Sequence, residues 1–187
     1  MRIKILILAV LFSGLYSAAT AQKYITKTGK IEIFSETPVF VIDGVNKKVA
    51  SILNVDNGEV VASTLVRSFR FEEALVEEHF NENYLEPNKF PKSIFKGKIK
   101  DFHKVDLKKN GTYDIIIAGK LTIHGQTNQV SAPGKLIIKG DNITATTTFE
   151  VSLEAYKIEI ERAYKKAIKD EVLLKIHFDY KPYKKKA

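Results

Sequence analysis

The pattern of this chain predicts an all-β domain of about eight antiparallel strands, closed as a barrel or folded as a sandwich. Three observations predict it. Apolar and polar residues alternate with period two through much of residues 22–187. Clusters of Asn, Asp and Gly punctuate those runs. Only two short segments, 71–80 and 161–168, carry apolar residues at helical spacing.

The first element is an address label. Arg2 and Lys4 precede an apolar run from Ile5 to Leu15, and Ala19-Thr20-Ala21 fits a small-x-small cleavage site. Residues 1–21 are therefore expected to be a signal peptide cleaved after Ala21, leaving Gln22 first. A retained N-terminal anchor is the alternative. The apolar run is short for a bilayer span. Residues 22–187 are expected to form one exported domain, periplasmic or extracellular. The chain has no cysteine, so neither a thioether-linked lipid anchor nor a disulfide is available to it.

Removing 21 of the 187 residues leaves 166, a one-domain length. The leader holds two of the 30 Lys+Arg and none of the 22 acids, so the mature formal charge is +6. That surplus suits an acidic partner or a peripheral contact with anionic membrane, or serves solubility alone. Tyr180 to Lys186 ends the chain as a basic aromatic run, either a solvated terminus or a lipid-facing one.

Strands of uneven regularity are read at 24–34, 47–55, 59–71 and 129–139. Four others alternate clearly. Residues 93–99 set Phe95, Gly97 and Ile99 against Lys96 and Lys98. Residues 112–124 set Tyr113, Ile115, Ile117, Leu121 and Ile123 against Asp114, Lys120, Thr122 and His124, and Gly119 suggests a bend or a close backbone approach. In 143–153, Ile143, Ala145, Phe149, Val151 and Leu153 oppose three threonines and Glu150. In 172–180, Val172, Leu174, Ile176, Phe178 and Tyr180 oppose Lys175, His177 and Asp179. Asp56-Asn57-Gly58, Asn110-Gly111 and Gly140-Asp141-Asn142 read as tight turns, because Asn and Gly tolerate positive φ. The two sequons at Asn110 and Asn142 are explained by that turn chemistry.

The first helical segment, Phe71 to Phe80, aligns Leu75, Val76, His79 and Phe80 on one stripe. The second runs from Glu161 to Ile168. Catalytic machinery is missing. There is no Gly-x-Ser-x-Gly elbow, phosphate-cradling glycine loop, His-Glu-x-x-His pair or cysteine nucleophile. The best enzymatic constellation is His79 with Glu82, beside Glu77 and Glu78, or a long-range pairing of His79 with His124. His103 sits in a charged loop and His177 on a polar strand face. A metal site takes three or four ligands, so hydrogen-bonded structural roles are the expected ones, with no catalytic residue, metal or cofactor.

Two motifs carry a resemblance. His79-Phe80-Asn81-Glu82-Asn83-Tyr84 is followed by Phe90-Pro91 and Phe95-Lys96-Gly97, and then by Gly119-Lys120-Leu121-Thr122-Ile123-His124-Gly125. In residue types and order these resemble the short secreted form of the YceI-like family, lipid-binding lipocalin-like barrels. Where short members often carry a proline after the Tyr-x-Ile segment, this chain follows Tyr156-Lys157-Ile158-Glu159-Ile160 with Glu161.

The resemblance implies an antiparallel lipocalin-like β-barrel of about eight strands with one or two short helices. It also implies a non-catalytic binding protein whose partner is an apolar lipid: a polyisoprenoid, a quinone tail or a fatty acyl chain. Such a barrel holds one small ligand if its walls are not overfilled. Alternation nominates as ligand-binding wall residues Phe69, Phe71, Leu75, Phe80, Phe95, Ile115, Ile117, Phe149, Val151, Ile176 and Phe178. The alternative is a filled structural or stress-related barrel that acts through its basic surface. Nucleic acid is not an expected partner, because no exposed aromatic–basic platform is evident. Lysines at 96, 98 and 100 discourage edge pairing between copies.

Overall fold

The computed structural model describes residues 22–36, 41–160 and 169–183. The segment expected as a signal peptide (1–21), the segment expected as a second helix (161–168) and the last lysines (184–186) lie outside the described residues. Nine strands form one antiparallel sheet: β1 (Lys23–Glu36), β2 (Val41–Asn54), β3 (Glu59–Leu65), β4 (Arg70–Phe71), β5 (Lys92–Ile99), β6 (Gly111–Ile123), β7 (Gln126–Lys139), β8 (Asn142–Ser152) and β9 (Glu171–Pro182). The order β1-β9-β8-β7-β6-β5-β3-β2 closes through β1–β2, giving an eight-stranded barrel with β4 added on β2. Closure leaves no open edge in the barrel wall.

The clean alternations hold. Ile115 and Leu121 on β6, Val151 on β8, and Leu174 and Phe178 on β9 are buried, while Ile116 points outward at 41% exposure. Gly119 faces Gly97 in the β5–β6 register. A Cβ on Gly119 would stand 2.3 Å from the Gly97 Cα, so the expected close backbone approach is real.

The uneven strands are uneven for a reason. β1 and β2 each carry one extra residue, β1 between Thr26 and Gly29 and β2 between Asn46 and Val49. Each flips which parity points inward. Tyr24 and Thr26 are buried before the β1 bulge and Ser35 after it. On β2, Asn46 is buried before the bulge and Val49, Ser51 and Leu53 after it. Side chains close both irregularities: Thr28 N donates to Thr26 Oγ1 and Lys48 N to Asn46 Oδ1. The two bulges compensate, so the pairing downstream stays in register.

Three expectations are corrected. The strand read at 59–71 stops at Leu65, where a 3-10 turn (Val66–Ser68) drops Val66 and Phe69 into the interior. Arg70 and Phe71 then pair with Val45 and Gly44 as β4. The helix read over 71–80 is therefore shorter, α1 (Ala74–His79), and it continues into a single π turn, Phe80–Tyr84. Asn110-Gly111 is no tight hairpin. The 100–110 connection contains its own 3-10 turn (Phe102–Lys104), and Asn110 Oδ1 accepts from Gly140 N at 2.8 Å. The turns at Asp56-Asn57-Gly58 and Gly140-Asp141 are tight as expected, with positive φ at both glycines.

One end of the barrel is shut. Tyr24, Leu53, Ile99, Phe102, Ile138, Ile143 and Tyr180 fill it as one cluster. Connection 66–91, hairpin His124-Gly125 and residues 153–160 meet at the other end.

Candidate lipid-binding lumen

Between the two ends lies a cavity of about 400 Å³. That is within the range of small-molecule sites. Its lining is almost wholly apolar, with Ser63, Thr64, Thr146 and Thr147 among the few polar members. All eleven residues nominated by alternation border this one cavity. Phe95, Ile115, Ile117, Phe149, Val151, Ile176 and Phe178 come from strands. Phe69, Phe71, Leu75 and Phe80 come from the turn, β4 and α1 at the open end.

The eleven nominated residues are only about a quarter of the wall. Ile31, Ile33, Val49, Leu53 and Val60 also border the cavity, and most of them lie on the bulged strands, where parity is hidden. Small side chains help keep the lumen open. Ala145, already read as inward on β8, is joined by Ala62 on β3 and Ala132 on β7, which the sequence reading did not place. Larger residues at those three positions would fill the space.

The mouth is built by α1. Phe80 packs against Phe69 at 5.4 Å and Phe71 at 4.8 Å between ring centroids. Glu77 ties the helix to β4, accepting from Arg70 Nη1 at 3.1 Å and from Phe71 N at 3.2 Å. Asn81 Nδ2 donates to the Glu77 carbonyl at 2.9 Å. Leu75 is 60% exposed yet borders the lumen, so the cavity meets solvent beside it.

The histidines are dispersed. His79 alone of the four borders the lumen. His103 belongs to the turn at the shut end, and His177 pairs with Asp179 at 3.0 Å on the outside. His124 bonds to Glu86 and to the Tyr156 carbonyl. Among the described residues no three His, Cys, Asp or Glu gather as metal ligands.

Three solved structures share this architecture. A polyisoprenoid-binding domain from Saccharophagus degradans, described as implicated in plant cell wall breakdown, aligns with TM-score 0.74 at 10% identity, covering 86% of this chain and 98% of that one. Burkholderia cenocepacia BcnA aligns with TM-score 0.68 at 18% identity, covering 81% and 95%. A Campylobacter jejuni YceI protein aligns with TM-score 0.59 at 15% identity, covering 76% and 85%. At such identities the likeness is one of fold. No curated protein matches the chain. The profile of the YceI-like domain, however, matches residues 17–180. The chain therefore belongs to the YceI-like domain family.

Proposed function

We propose that this protein is an exported, non-catalytic carrier that holds one long apolar chain in the barrel lumen: a polyisoprenoid, a quinone tail or a fatty acyl chain. The observation that carries this reading is the cavity itself, about 400 Å³ of nearly unbroken hydrocarbon surface open beside Leu75. Each methylene moved from water into such a lumen gains about 0.8 kcal/mol, so ten give a gross ~8 kcal/mol before the costs of association. Polar recognition is not needed for that gain. The printed description of the Saccharophagus degradans neighbour, a polyisoprenoid-binding domain, supports the same ligand class. The alternative of a filled barrel is disfavoured by the open lumen. A metal-assisted hydrolytic site around His79 and Glu82 has no support among the described residues, where no three potential ligands gather.

The test compares two lysines on one strand. Ile117 borders the lumen, whereas Thr122 lies off it and bonds Thr127 at 2.8 Å. Ile117→Lys places a charge in hydrocarbon at a cost of several kcal/mol unless the amine sheds its proton. Co-purified lipid, extracted and weighed by mass spectrometry, is expected to vanish from folded Ile117→Lys and to persist in Thr122→Lys. Parent-like lipid in folded Ile117→Lys rejects the proposal.

A further inference from the structure

His124 sits where the coverings of the open end meet. It is the first residue of the β6–β7 hairpin, in the left-handed region at φ 49°, and its side chain is only 13% exposed. Nδ1 lies 3.2 Å from the carbonyl oxygen of Tyr156 in segment 153–160. Nε2 lies 3.1 Å from Glu86 Oε2 in the 66–91 connection. The ring of Phe90 packs edge-on against the imidazole at 4.6 Å. One ring thus bonds two separate chain segments. Each contact adjoins the lumen, for Ile123, Leu85 and Ile158 are wall residues.

Both partners offer lone pairs. A carbonyl and a carboxylate accept, and only an imidazolium, with two N–H groups, can donate to both at once. Lys89, bonded to the same carboxylate, and then His124 itself hold Glu86 below the usual carboxylate range. From the other connection the ring meets the Tyr156 carbonyl, with the charge of Lys157 one residue on. Burial raises the Tyr156 phenol, which stays neutral throughout.

We propose that His124 is a protonation-controlled latch that joins segments 84–90 and 153–160 over the lumen, holding the ligand while its ring is an imidazolium and easing release when the ring is neutral. The proposal rests on the reading of the lumen as a lipid site. Neutral imidazole has one N–H. One of the two bonds must then give way to a contact between lone pairs, and the two segments lose a shared anchor.

The probe is diphenylhexatriene, an apolar rod with no titrating group. Its escape into excess phosphatidylcholine vesicles is timed at about pH 5 and about pH 8, the span over which histidine switches act. The parent is expected to release it about tenfold faster at the higher pH, the equivalent of about 1.4 kcal/mol. His124→Asn, which suits the left-handed backbone but is too short to bridge, is expected to release it fast at both. Glu86→Gln is expected to release it slowly at both. Its amide can donate to the bare Nε2 of neutral histidine or accept from the imidazolium, so both bonds survive in either state. His177→Gln, which removes an exposed His–Asp pair on β9, keeps the parent contrast.

Equal parent rates at the two pH values overturn the latch, as does a parent-like contrast in His124→Asn. Amide hydrogen exchange in 84–90 and 153–158, corrected for intrinsic pH dependence, reads the latch without any probe. If diphenylhexatriene fails to bind, the carrier reading fails. Exchange still decides the latch: protection that falls with pH in the parent and is absent in His124→Asn supports it, and protection unchanged by pH rejects it.

Discussion

Tyr180 bonds the last wall strand to the bulged side of the barrel. It is 2% exposed, and its hydroxyl stands 2.7 Å from Ser51 Oγ. Ser51 in turn donates to the Val61 carbonyl at 3.1 Å, so the phenol must be the donor to Ser51. Burial pushes the phenol well above its ordinary value. A tyrosine kept neutral by folding favours the native state fully below about pH 10, and that contribution is lost as pH rises further, because the unfolded chain sheds the proton first. Stability is thus expected to fall in alkali. Tyr180→Phe is expected to cost about 1 kcal/mol near neutrality and to flatten the alkaline limb, read by urea unfolding across pH. An alkaline limb unchanged in Tyr180→Phe would show that the phenol does not control it. Asn46 serves a like purpose on β2. Fully buried, it donates to Thr64 Oγ1 at 2.7 Å and to the Leu65 carbonyl at 3.1 Å, holding β2 to the end of β3. No period-two reading exposes either role, since each depends on a partner from another strand.

At the scale of elements, legibility followed regularity. β6 alternates without interruption, and its inward residues could be named from sequence. β1 and β2 could not be read that way, because compensating bulges at 26–29 and 46–49 swap the inward parity halfway along. The helix was legible in type but not in extent, because Arg70-Phe71 finds a strand partner at Gly44-Val45 that local spacing does not reveal. The cavity was least legible. A filled barrel would use the same Phe, Ile and Val residues. What differs is the placement of Ala62, Ala132 and Ala145, set by register between distant strands. Ala132→Phe is accordingly expected to plug the lumen. Thermal stability should hold or rise by up to about 2 kcal/mol, as cavity-filling changes commonly give, while bound lipid is lost. A stable Ala132→Phe protein with parent-like lipid content would place the ligand elsewhere.

The whole molecule is a tube sealed at one end and covered at the other. Tyr24, Phe102 and Tyr180 help close the far end, while α1 and two connections cover the near one. Its two motifs from the sequence converge there. Phe80 and Tyr84 border the lumen from the π turn, and His124-Gly125 turns beneath Phe90, whose ring would overlap any Cβ on Gly125. The motif residues thus build the cover, and the strands between them build the wall. The most direct test is native mass spectrometry of protein freshly purified from its own host. The expected species is a polypeptide beginning at Gln22 with one hydrocarbon-bearing molecule per chain, lost on solvent extraction and regained from added lipid. A polypeptide that carries no ligand, and takes up none when polyisoprenoid, quinone or fatty acid is supplied, would contradict the carrier.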